Sequence, residues 1–291
     1  MLTLTAGSAT LTIAPEIGGA IAGWQRAGQP IMRPTPPEAL TPGNARALAS
    51  YPLVPFSNRI ANRRFTWMGT TYNLPEQFGG FAIHGVGWLR EWQVAEATTT
   101  TATITLDHTP SPEWPFPFRT WQHFSLTADG LTHSIGITNT GPTPFPAGFG
   151  QHPFFPRGPR TRIAFTTTEI WHNGAPGQIP SHATPVEGVY DHSAGQAVGP
   201  VFIDNCFSGF TGHARIDNPD FGHSLEITSD PIFGHCILYT PPGVPHFAFE
   251  PVSHMNDAIN RMDSQPGHGL FILAPGESRD GSITYRVETQ A

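Results

Sequence analysis

The chain has 291 residues, of which 31 are glycine and 31 are proline, while charged residues make up only 13%. This composition predicts a globular protein rich in turns and strands and argues against disorder. The formal net charge of -7, without any basic run, argues against nucleic-acid binding, which needs clustered phosphate neutralisation. All 15 basic residues are arginine, so chemistry that depends on a Schiff-base or P-loop lysine is excluded.

The cysteine content and the first residues of the sequence bear on the cellular compartment. Cys206 and Cys236 are too few for a disulfide scaffold or a cysteine-only metal site, and they are interpreted as buried thiols. Residues 1–5 lack the basic start and the long apolar run of a signal peptide. No segment approaches the roughly 20 apolar residues of a membrane span. We therefore expect a soluble, cytoplasmic protein without a membrane or nucleic-acid partner.

Alternating apolar and polar residues on either side of turn formers predict several antiparallel hairpins. Four of these hairpins are expected over residues 2–13, 18–33, 65–74 and 121–139. Between the second and the third, residues 44–50 are expected to hold one short helical turn. The rest of the chain is interpreted as further short strands, about twenty in total, separated by Gly/Pro-rich loops.

The strands are spaced about 8–12 residues apart, and no change in composition marks a linker between domains. This pattern predicts an all-β fold with few short helices, a large antiparallel sandwich that forms a single domain over residues 1–291. No fixed-period repeat of the kind found in propellers is present. Residues 255–262 are the strongest helix candidate after Glu250.

Glu250 lies in an apolar stretch near the C-terminal end of the sequence. Phe247 and Phe249 alternate with Ala248 and Glu250, which predicts a strand whose two faces differ. A carboxylate held among aromatic residues is partly desolvated, which raises its pKa and makes it a better base at neutral pH. The alternative is a glutamate at the end of a strand that faces solvent, as most charged residues do.

Five polar residues share one setting, because each stands beside Gly, Pro or an aromatic residue at or near a predicted strand end. Singly, they have ordinary alternatives: a surface cation, hydrogen-bonded core histidines or a turn-forming aspartate. Together they offer a base, two groups that titrate near neutrality, a carboxylate acceptor and a permanently charged donor. The five residues are Arg59, His84, His152, Asp204 and Glu250.

Other chemistries are less well supported by the sequence. The 14 histidines invite a metal site, but neither an HExxH nor a CxxC motif occurs, so no metal is expected. The absence of a GxSxG motif argues against a serine nucleophile. A glycosidase pair formed by Asp204 and Glu250 stays open, because sequence spacing alone does not give the distance between two carboxylates.

Several short motifs follow one another in the order seen in the aldose 1-epimerase (galactose mutarotase) family, so the chain resembles that family over nearly its whole length. Each motif alone is short, and their order makes the set specific. They are Asn58-Arg59-Ile60, Ile83-His84-Gly85, Gly150-Gln151-His152-Pro153-Phe154-Phe155, Ile203-Asp204-Asn205, Phe249-Glu250-Pro251, Asp257-Ala258-Ile259-Asn260 and Leu273-Ala274-Pro275-Gly276-Glu277.

The resemblance implies a β-supersandwich with an open cleft on one sheet face and no metal or organic cofactor. It implies an enzyme that interconverts the α and β anomers of a free aldose, with a monosaccharide as its small-molecule partner. By matching position, Glu250 resembles the general base and His152 the general acid of this reaction.

The remaining site residues follow in the same way. Arg59 and His84 resemble the residues that orient the substrate, and Asn58 stands beside them in the same motif. Asp204 resembles the acceptor of a sugar hydroxyl. Five aromatic residues are candidates for stacking on the apolar face of a sugar, although core packing is the commoner use of such residues. These are Trp88, Trp114, Phe116, Phe118 and Phe155.

Two alternative functions stay open at the level of the sequence. The first is a non-catalytic carbohydrate-binding protein of the same fold. The second is a hexose-6-phosphate 1-epimerase, in which Arg157, Arg160 and Arg162 would clamp the phosphate. A solvated basic loop is the ordinary interpretation of these three arginines.

Overall fold

The computed structural model describes residues 1–174, 179–199 and 201–289, and in this part of the chain strands dominate. In chain order, the first fourteen strands are β1 (Leu2–Ala6), β2 (Ala9–Ala14), β3 (Ala20–Arg26), β4 (Gln29–Pro30), β5 (Pro52–Leu53), β6 (Arg59–Ile60), β7 (Arg64–Trp67), β8 (Thr70–Asn73), β9 (Ala82–Ile83), β10 (Gln93–Ala97), β11 (Thr101–His108), β12 (Phe118–Thr127), β13 (Gly130–Asn139) and β14 (Phe145–Ala147). The remaining strands are β15 (Gly150–Gln151), β16 (Phe154–Pro156), β17 (Arg162–Phe165), β18 (Glu169–Gly174), β19 (Ile179–Pro185), β20 (Gln196–Ala197), β21 (Asp204–Ser208), β22 (His213–Asn218), β23 (His223–Ser229), β24 (His235–Tyr239), β25 (His246–Val252), β26 (Phe271–Leu273) and β27 (Ser278–Thr289).

The helical segments of the described residues are all single 3₁₀ turns of three residues. They are Pro37–Ala39, Ala45–Ala47, Ala61–Arg63, Gly87–Leu89, Gly188–Tyr190, Pro219–Phe221 and Ala258–Asn260. None of these turns has the length or the apolar character needed to cross a bilayer. The expectation of few short helices is therefore confirmed for this part of the chain.

Two large antiparallel sheets form the body of the molecule. One has nine strands in the order β10-β11-β12-β13-β27-β23-β22-β17-β20. The other follows the order β19-β18-β21-β24-β25-β15-β5, and β16 pairs with β25 beside this path. The first four strands form a separate antiparallel sheet. Antiparallel pairing between all the strands of these sheets confirms the predicted all-β architecture.

The main core contains side chains from both large sheets, and β25 shows how the alternation predicted from the sequence works. Phe247 and Phe249 belong to this core together with Phe124 of the nine-stranded sheet. Each fully buried phenylalanine contributes about 1.5–3 kcal/mol of transfer free energy. Ala248 and Val252, on the opposite face of β25, pack in a second apolar cluster. The two faces of this strand therefore have different partners, as expected.

The predicted hairpins are present in the structure. The four hairpins correspond to β1–β2, β3–β4, β7–β8 and β12–β13, which pair in antiparallel register. The helical turn expected over residues 44–50 is the 3₁₀ turn Ala45–Ala47. Cys206 and Cys236 are both buried and free, as the sequence predicts.

The helix predicted over residues 255–262 is wrong, because only the short turn Ala258–Asn260 forms there. Asp257 precedes this turn with a φ of 55°, in the left-handed region that interrupts a helix. Its N–H donates to the carbonyl of Arg59, and its carboxylate accepts from the N–H of Ala61. Hydrogen bonds to a distant part of the chain therefore override the local helical pattern.

The five aromatic residues that the sequence offered as sugar-stacking candidates are all buried, between 0% and 6% exposed. Four of them, Trp114, Phe116, Phe118 and Phe155, belong to the main core, and Trp88 belongs to the second cluster. The stacking interpretation is therefore wrong for these residues, and core packing is their role.

Eight histidines are buried in the described residues, and at four of them, outside the predicted site, burial strongly disfavours the charged imidazolium. Burial lowers the pKa of His133 and His254 to about 3 and that of His192 and His235 to about 4. His254 shows why the neutral form fits, because its Nε2 accepts the N–H of Ser57 at 2.9 Å and its Nδ1 lies 2.7 Å from the carbonyl of Met255.

These shifts predict that the fold loses stability in mild acid. In the unfolded chain, the imidazoles become protonated near pH 6.5. In the folded chain, they stay neutral until the pH is much lower. The unfolded state therefore binds more protons between about pH 4 and 6.5, and the free energy of unfolding falls as the pH falls through this range. We expect a loss of about 2 kcal/mol for each fully buried histidine at pH 5 relative to pH 8. Urea denaturation at the two pH values measures this loss, and equal stabilities would contradict it.

Candidate active site

A cleft of about 240 Å³ opens over one face of the eight-stranded sheet. All six site residues predicted from the sequence line this cleft, although they come from five different parts of the chain. Its lining consists of Arg46, Tyr51, Asn58, Arg59, Phe78, Ile83, His84, His152, Phe154, Phe202, Asp204, Tyr239 and Glu250.

Strand register places His152 opposite Glu250. On either side of His152, Gly150 pairs with Val252 and Phe154 pairs with Ala248. In an antiparallel pair this register sets residue 152 across from residue 250. The distance from His152 Nε2 to Glu250 Oε1 is 3.2 Å, within hydrogen-bonding range.

Glu250 is deeply buried. Its side chain is only 2% exposed, and it lies within β25 rather than at the end of the strand. The alternative of a solvent-facing glutamate is therefore excluded. Among the described residues, Glu250 Oε2 has no hydrogen-bond partner. This oxygen lies on a cleft-lining side chain, so it is available to accept a hydrogen bond from a ligand hydroxyl.

The electrostatic setting favours the uncharged forms of both groups. Burial raises the pKa of Glu250 well above its usual value, and the carboxylate of Asp204 adds to this effect. Burial also lowers the pKa of His152 well below its usual value, and the guanidinium of Arg46 adds to that effect. The pair therefore favours a state in which one proton is shared and neither group carries a full charge.

Tyr51 forms the wall behind His152. Its ring stacks on the imidazole with a centroid distance of 4.6 Å and an interplanar angle of 26°. The backbone also joins the two residues, because the N–H of His152 donates to the carbonyl of Tyr51 at 3.0 Å. Burial raises the pKa of the Tyr51 phenol above its usual range, so this side chain stays neutral. The stack fixes the orientation of the imidazole.

His84 is held by its own neighbours in a defined tautomer. The N–H of Asn58 donates to Nδ1 of His84 at 3.1 Å, so the imidazole carries its proton on Nε2. Both residues have left-handed backbones, with φ of 62° for His84 and 55° for Asn58. Burial lowers the pKa of His84 well below its usual value, which keeps it neutral. His84 is therefore a hydrogen-bond donor at the cleft.

Arg59 is fixed from two sides. The carboxamide oxygen of Asn58 accepts from the backbone N–H of Arg59 at 2.9 Å and from its Nη1 at 3.2 Å. On the other side, Arg59 Nη2 lies 3.8 Å from Asp204 Oδ2. The pKa of Asp204 is raised by burial and lowered by Arg59, and burial is the larger effect. The pair presents a cation and a carboxylate side by side to a ligand.

Sequence reasoning missed several cleft residues. Tyr51 lies beside His152 only because β5, which follows it, pairs with β15. Arg46 comes from a 3₁₀ turn outside both large sheets. Besides Tyr51 and Phe154, three further aromatic residues line the cleft, and none of them was proposed from the sequence for stacking on a sugar. They are Phe78, Phe202 and Tyr239.

The three arginines considered as a phosphate clamp lie outside this cleft and have local partners. Arg157 donates to the carbonyls of Pro241 and Val244. Arg160 forms an ion pair with Asp220 at 2.7 Å, and Arg162 donates to a backbone carbonyl in a neighbouring loop. The structure therefore does not bring this arginine cluster to the other predicted site residues.

No group of three or more metal-ligating side chains is arranged to hold an ion in the part of the chain that the structure describes. The chemistry available at the cleft is therefore described by its imidazole, carboxyl, guanidinium and hydroxyl groups.

Comparison with known sequences identifies the family. The profile of the aldose 1-epimerase family matches residues 1–286. The chain is also 32% identical to the uncharacterized protein YphB of Escherichia coli K12, with 98% of each protein covered. The protein therefore belongs to the aldose 1-epimerase family, and the resemblance noted in its motifs is confirmed.

Solved structures agree with this placement. An Escherichia coli K12 protein, named provisionally as an aldose 1-epimerase, superimposes with a TM-score of 0.89 at 30% identity, covering 99% of this chain and 98% of that one. A galactose mutarotase-like protein from Clostridium acetobutylicum gives a TM-score of 0.87 at 19% identity, with 99% and 95% covered. The fold is thus that of the galactose mutarotase-like proteins, as predicted.

Gly85 allows a test of how the cleft is built. A Cβ atom at Gly85 would lie 2.1 Å from the carbonyl oxygen of Val54, and the backbone has a φ of 69°. Gly28 has a similar φ of 78° but open space around it. We expect Gly28→Ala to cost about 1–2 kcal/mol for its left-handed backbone alone. Gly85→Ala should cost at least about 2 kcal/mol more, because the clash forces the loop of His84 to move. Urea denaturation of both variants measures the difference, and equal losses would contradict it.

Proposed function

We propose that the protein is a cofactor-independent aldose 1-epimerase that interconverts the α and β anomers of a free aldose. The observation that carries this proposal is the buried contact between His152 and Glu250 at the cleft of a chain from this family. An imidazole and a carboxyl group 3.2 Å apart can hold and transfer one proton, and the reaction needs such a transfer at two neighbouring oxygens.

The reaction proceeds by opening and closing the sugar ring. Glu250 accepts the proton of the C1 hydroxyl while His152 donates a proton to the ring oxygen O5. The C1–O5 bond breaks, and its electron pair goes to O5 as the C1 carbonyl forms. Rotation about the C1–C2 bond exposes the other face of the aldehyde. The two proton transfers then run in reverse, O5 attacks C1, and both groups return to their starting state.

The proton shared by the pair is sufficient for both half-reactions. In the free protein, burial favours the neutral pair, a carboxylic acid beside a neutral imidazole. A bound sugar donates its C1 hydroxyl to the carboxyl oxygens, and hydrogen bonds of this kind favour the ionised carboxylate. Binding therefore moves the shared proton toward His152, where the ring oxygen needs it.

The other cleft residues recognise the sugar hydroxyls. Arg59 donates hydrogen bonds and Asp204 accepts them, and their separation of 3.8 Å lets both bind neighbouring hydroxyls. His84 adds a neutral donor through Nε2. Asn58 acts through Arg59 and His84, since it hydrogen-bonds to both. These interactions place C1 and O5 over the pair.

A purely carbohydrate-binding role does not account for the pair. Hydroxyl recognition alone does not require a carboxyl group and an imidazole buried 3.2 Å apart, with the pKa of each shifted toward its neutral form. Perturbed titrating groups that face each other in a cleft are typical of acid–base catalysis. The epimerase is therefore preferred over the binding protein.

Substitution of Glu250 tests the proposal directly. Glu250→Gln keeps the shape of the side chain but removes its basicity, so we expect kcat to fall by about 10²-fold or more. Sugar binding should survive, because the amide oxygen still accepts a hydrogen bond. The measurement is polarimetry of a fresh α-anomer, with circular dichroism to confirm the fold.

The chain offers a matched control for this variant. Glu226 also contacts a histidine, His213 at 2.7 Å, but the pair lies on β22 and β23 of the nine-stranded sheet. Glu226→Gln should turn over like the wild type. If Glu250→Gln also turns over at the wild-type rate, the base is elsewhere and the assignment fails.

The pH profile provides a second test. The pair is active when it holds one proton, so kcat/KM is expected to follow a bell. Because burial favours the carboxyl as the holder of that proton, the rate should rise with pH through the lowered pKa of His152, below 6.5. It should fall with pH through the raised pKa of Glu250, above 4.5. His152→Asn should remove the rising limb as well as lowering kcat. A rate independent of pH between 4 and 10 would contradict the shared proton.

A further inference from the structure

Arg46 gives the cleft a positive charge that the protein itself does not balance. The whole chain has a formal net charge of -7, yet the cleft is lined by two arginines, Arg46 and Arg59. Of the two acidic side chains there, Asp204 lies beside Arg59, and Glu250 favours its uncharged form. The charge of Arg46 is therefore in excess at this surface.

The guanidinium of Arg46 is held in place without a carboxylate partner. Its Cζ lies over the Phe78 ring, 3.2 Å from the ring centroid, and 6.0 Å from the centroid of Trp88. In the described ranges, no ion pair of 4 Å or less involves Arg46, and its Nε is buried without a partner. This geometry leaves N–H donors for a ligand.

The position of Arg46 relative to a sugar follows from the roles of the catalytic pair, and this step rests on the proposed function. Tyr51 stacks on His152, and the Trp88 ring lies 6.3 Å from the Tyr51 ring and 6.0 Å from Arg46 Cζ, so Arg46 lies on the His152 side of the pair. In the sheet order β21-β24-β25-β15, Asp204 of β21 lies on one side of Glu250 and His152 lies on the other. Since His152 serves O5 and Glu250 serves the C1 hydroxyl, Arg46 faces the substituent of C5, and Asp204 faces C2.

We propose that the preferred substrates are hexuronic acids, aldoses whose C6 is a carboxylate, and that Arg46 binds this carboxylate. In a pyranose, C6 is the exocyclic carbon bonded to C5, and C5 is bonded to the ring oxygen. A planar guanidinium suits a carboxylate, which it can bind through two parallel hydrogen bonds. Arg46 is thereby a specificity-determining residue.

The charge at this position fits a carboxylate better than a phosphate. A phosphate monoester carries about -1.5 to -2 at neutral pH and needs more than one cation. Arg33, which contacts the backbone of Arg46, is already engaged. It donates to the carbonyls of Arg46 and Leu48, and its Cζ lies 3.7 Å from the centroid of the Phe154 ring. One available guanidinium therefore matches one carboxylate.

The test compares paired sugars that differ only at C6. Mutarotation of galacturonic acid is measured against galactose, and that of glucuronic acid against glucose, with the whole chain. We expect kcat/KM to be at least about tenfold higher for the acids, as charge-assisted hydrogen bonds of this kind provide.

Arg46→Met keeps the contact with Phe78 and removes the charge. It should reduce the ratio of acid to neutral sugar at least about tenfold, mainly through KM for the acid.

Arg119→Met is the matched control. Arg119 pairs with Asp107 on the nine-stranded sheet at 2.7 Å, outside the cleft, so this variant makes the same change in net charge. It should keep the wild-type ratio. A lower ratio in Arg119→Met as well would show that net charge, rather than Arg46, sets the preference.

The outcomes separate this inference from the proposed function. If no sugar is mutarotated faster than in buffer, the proposed function fails and the inference fails with it. If neutral hexoses are turned over and the acids are not preferred, or if Arg46→Met leaves the ratio unchanged, only the inference is overturned. A higher kcat/KM for glucose 6-phosphate than for glucuronic acid would also overturn it in favour of a phosphate.

Discussion

The buried contact between His152 and Glu250 is the interaction on which the rest of the site depends. Removing a carboxylate and an imidazolium from water costs several kcal/mol for each charged group. The structure reduces this cost by letting the two groups share a single proton, so that neither needs to be charged in the free protein. What makes the pair possible is the register of β25 with β15 and β16, which sets the two residues across from each other.

The backbone around the cleft is strained at residues that hold the cleft side chains in place. Asn58, His84 and Asp257 all have φ between 55° and 62°, a region that side-chain-bearing residues rarely adopt. Each is held there by hydrogen bonds: Asn58 with His84, and Asp257 with the backbone of Arg59 and Ala61. Such strain persists at functional sites because surrounding structure determines it. Here it orients the donor of His84 and the guanidinium of Arg59 toward the cleft.

Much of the fold was predictable because its signals are local. Side chains alternate between the two faces of β25, which predicts that Phe249 and Glu250 face opposite sides of the sheet. Turn-forming residues mark the hairpins. The six predicted site residues lie in short motifs whose order identifies the family, so they could be selected without knowing any distance. Which of them carry out catalysis stays a prediction, since their placement in one cleft does not test their roles.

The rest of the site depends on pairing between distant segments. The pairing of β5 with β15 brings Tyr51 beside His152, and no local sequence pattern predicts this contact. Arg46 enters the cleft from a short turn, whereas the more conspicuous arginine cluster at Arg157 packs elsewhere. The helix expected near Asp257 does not form for the same reason, because tertiary hydrogen bonds outweigh a helical pattern of a few residues.

We propose that this cleft catalyses the mutarotation of sugars and does not only bind them. The most direct measurement of this catalysis is the approach of freshly dissolved α-anomers to equilibrium, followed by polarimetry over a panel of neutral and acidic aldoses at several protein concentrations. We expect a first-order rate that increases in proportion to protein concentration while the final anomer ratio stays the same. Sugar binding without any increase in that rate across the panel would contradict it.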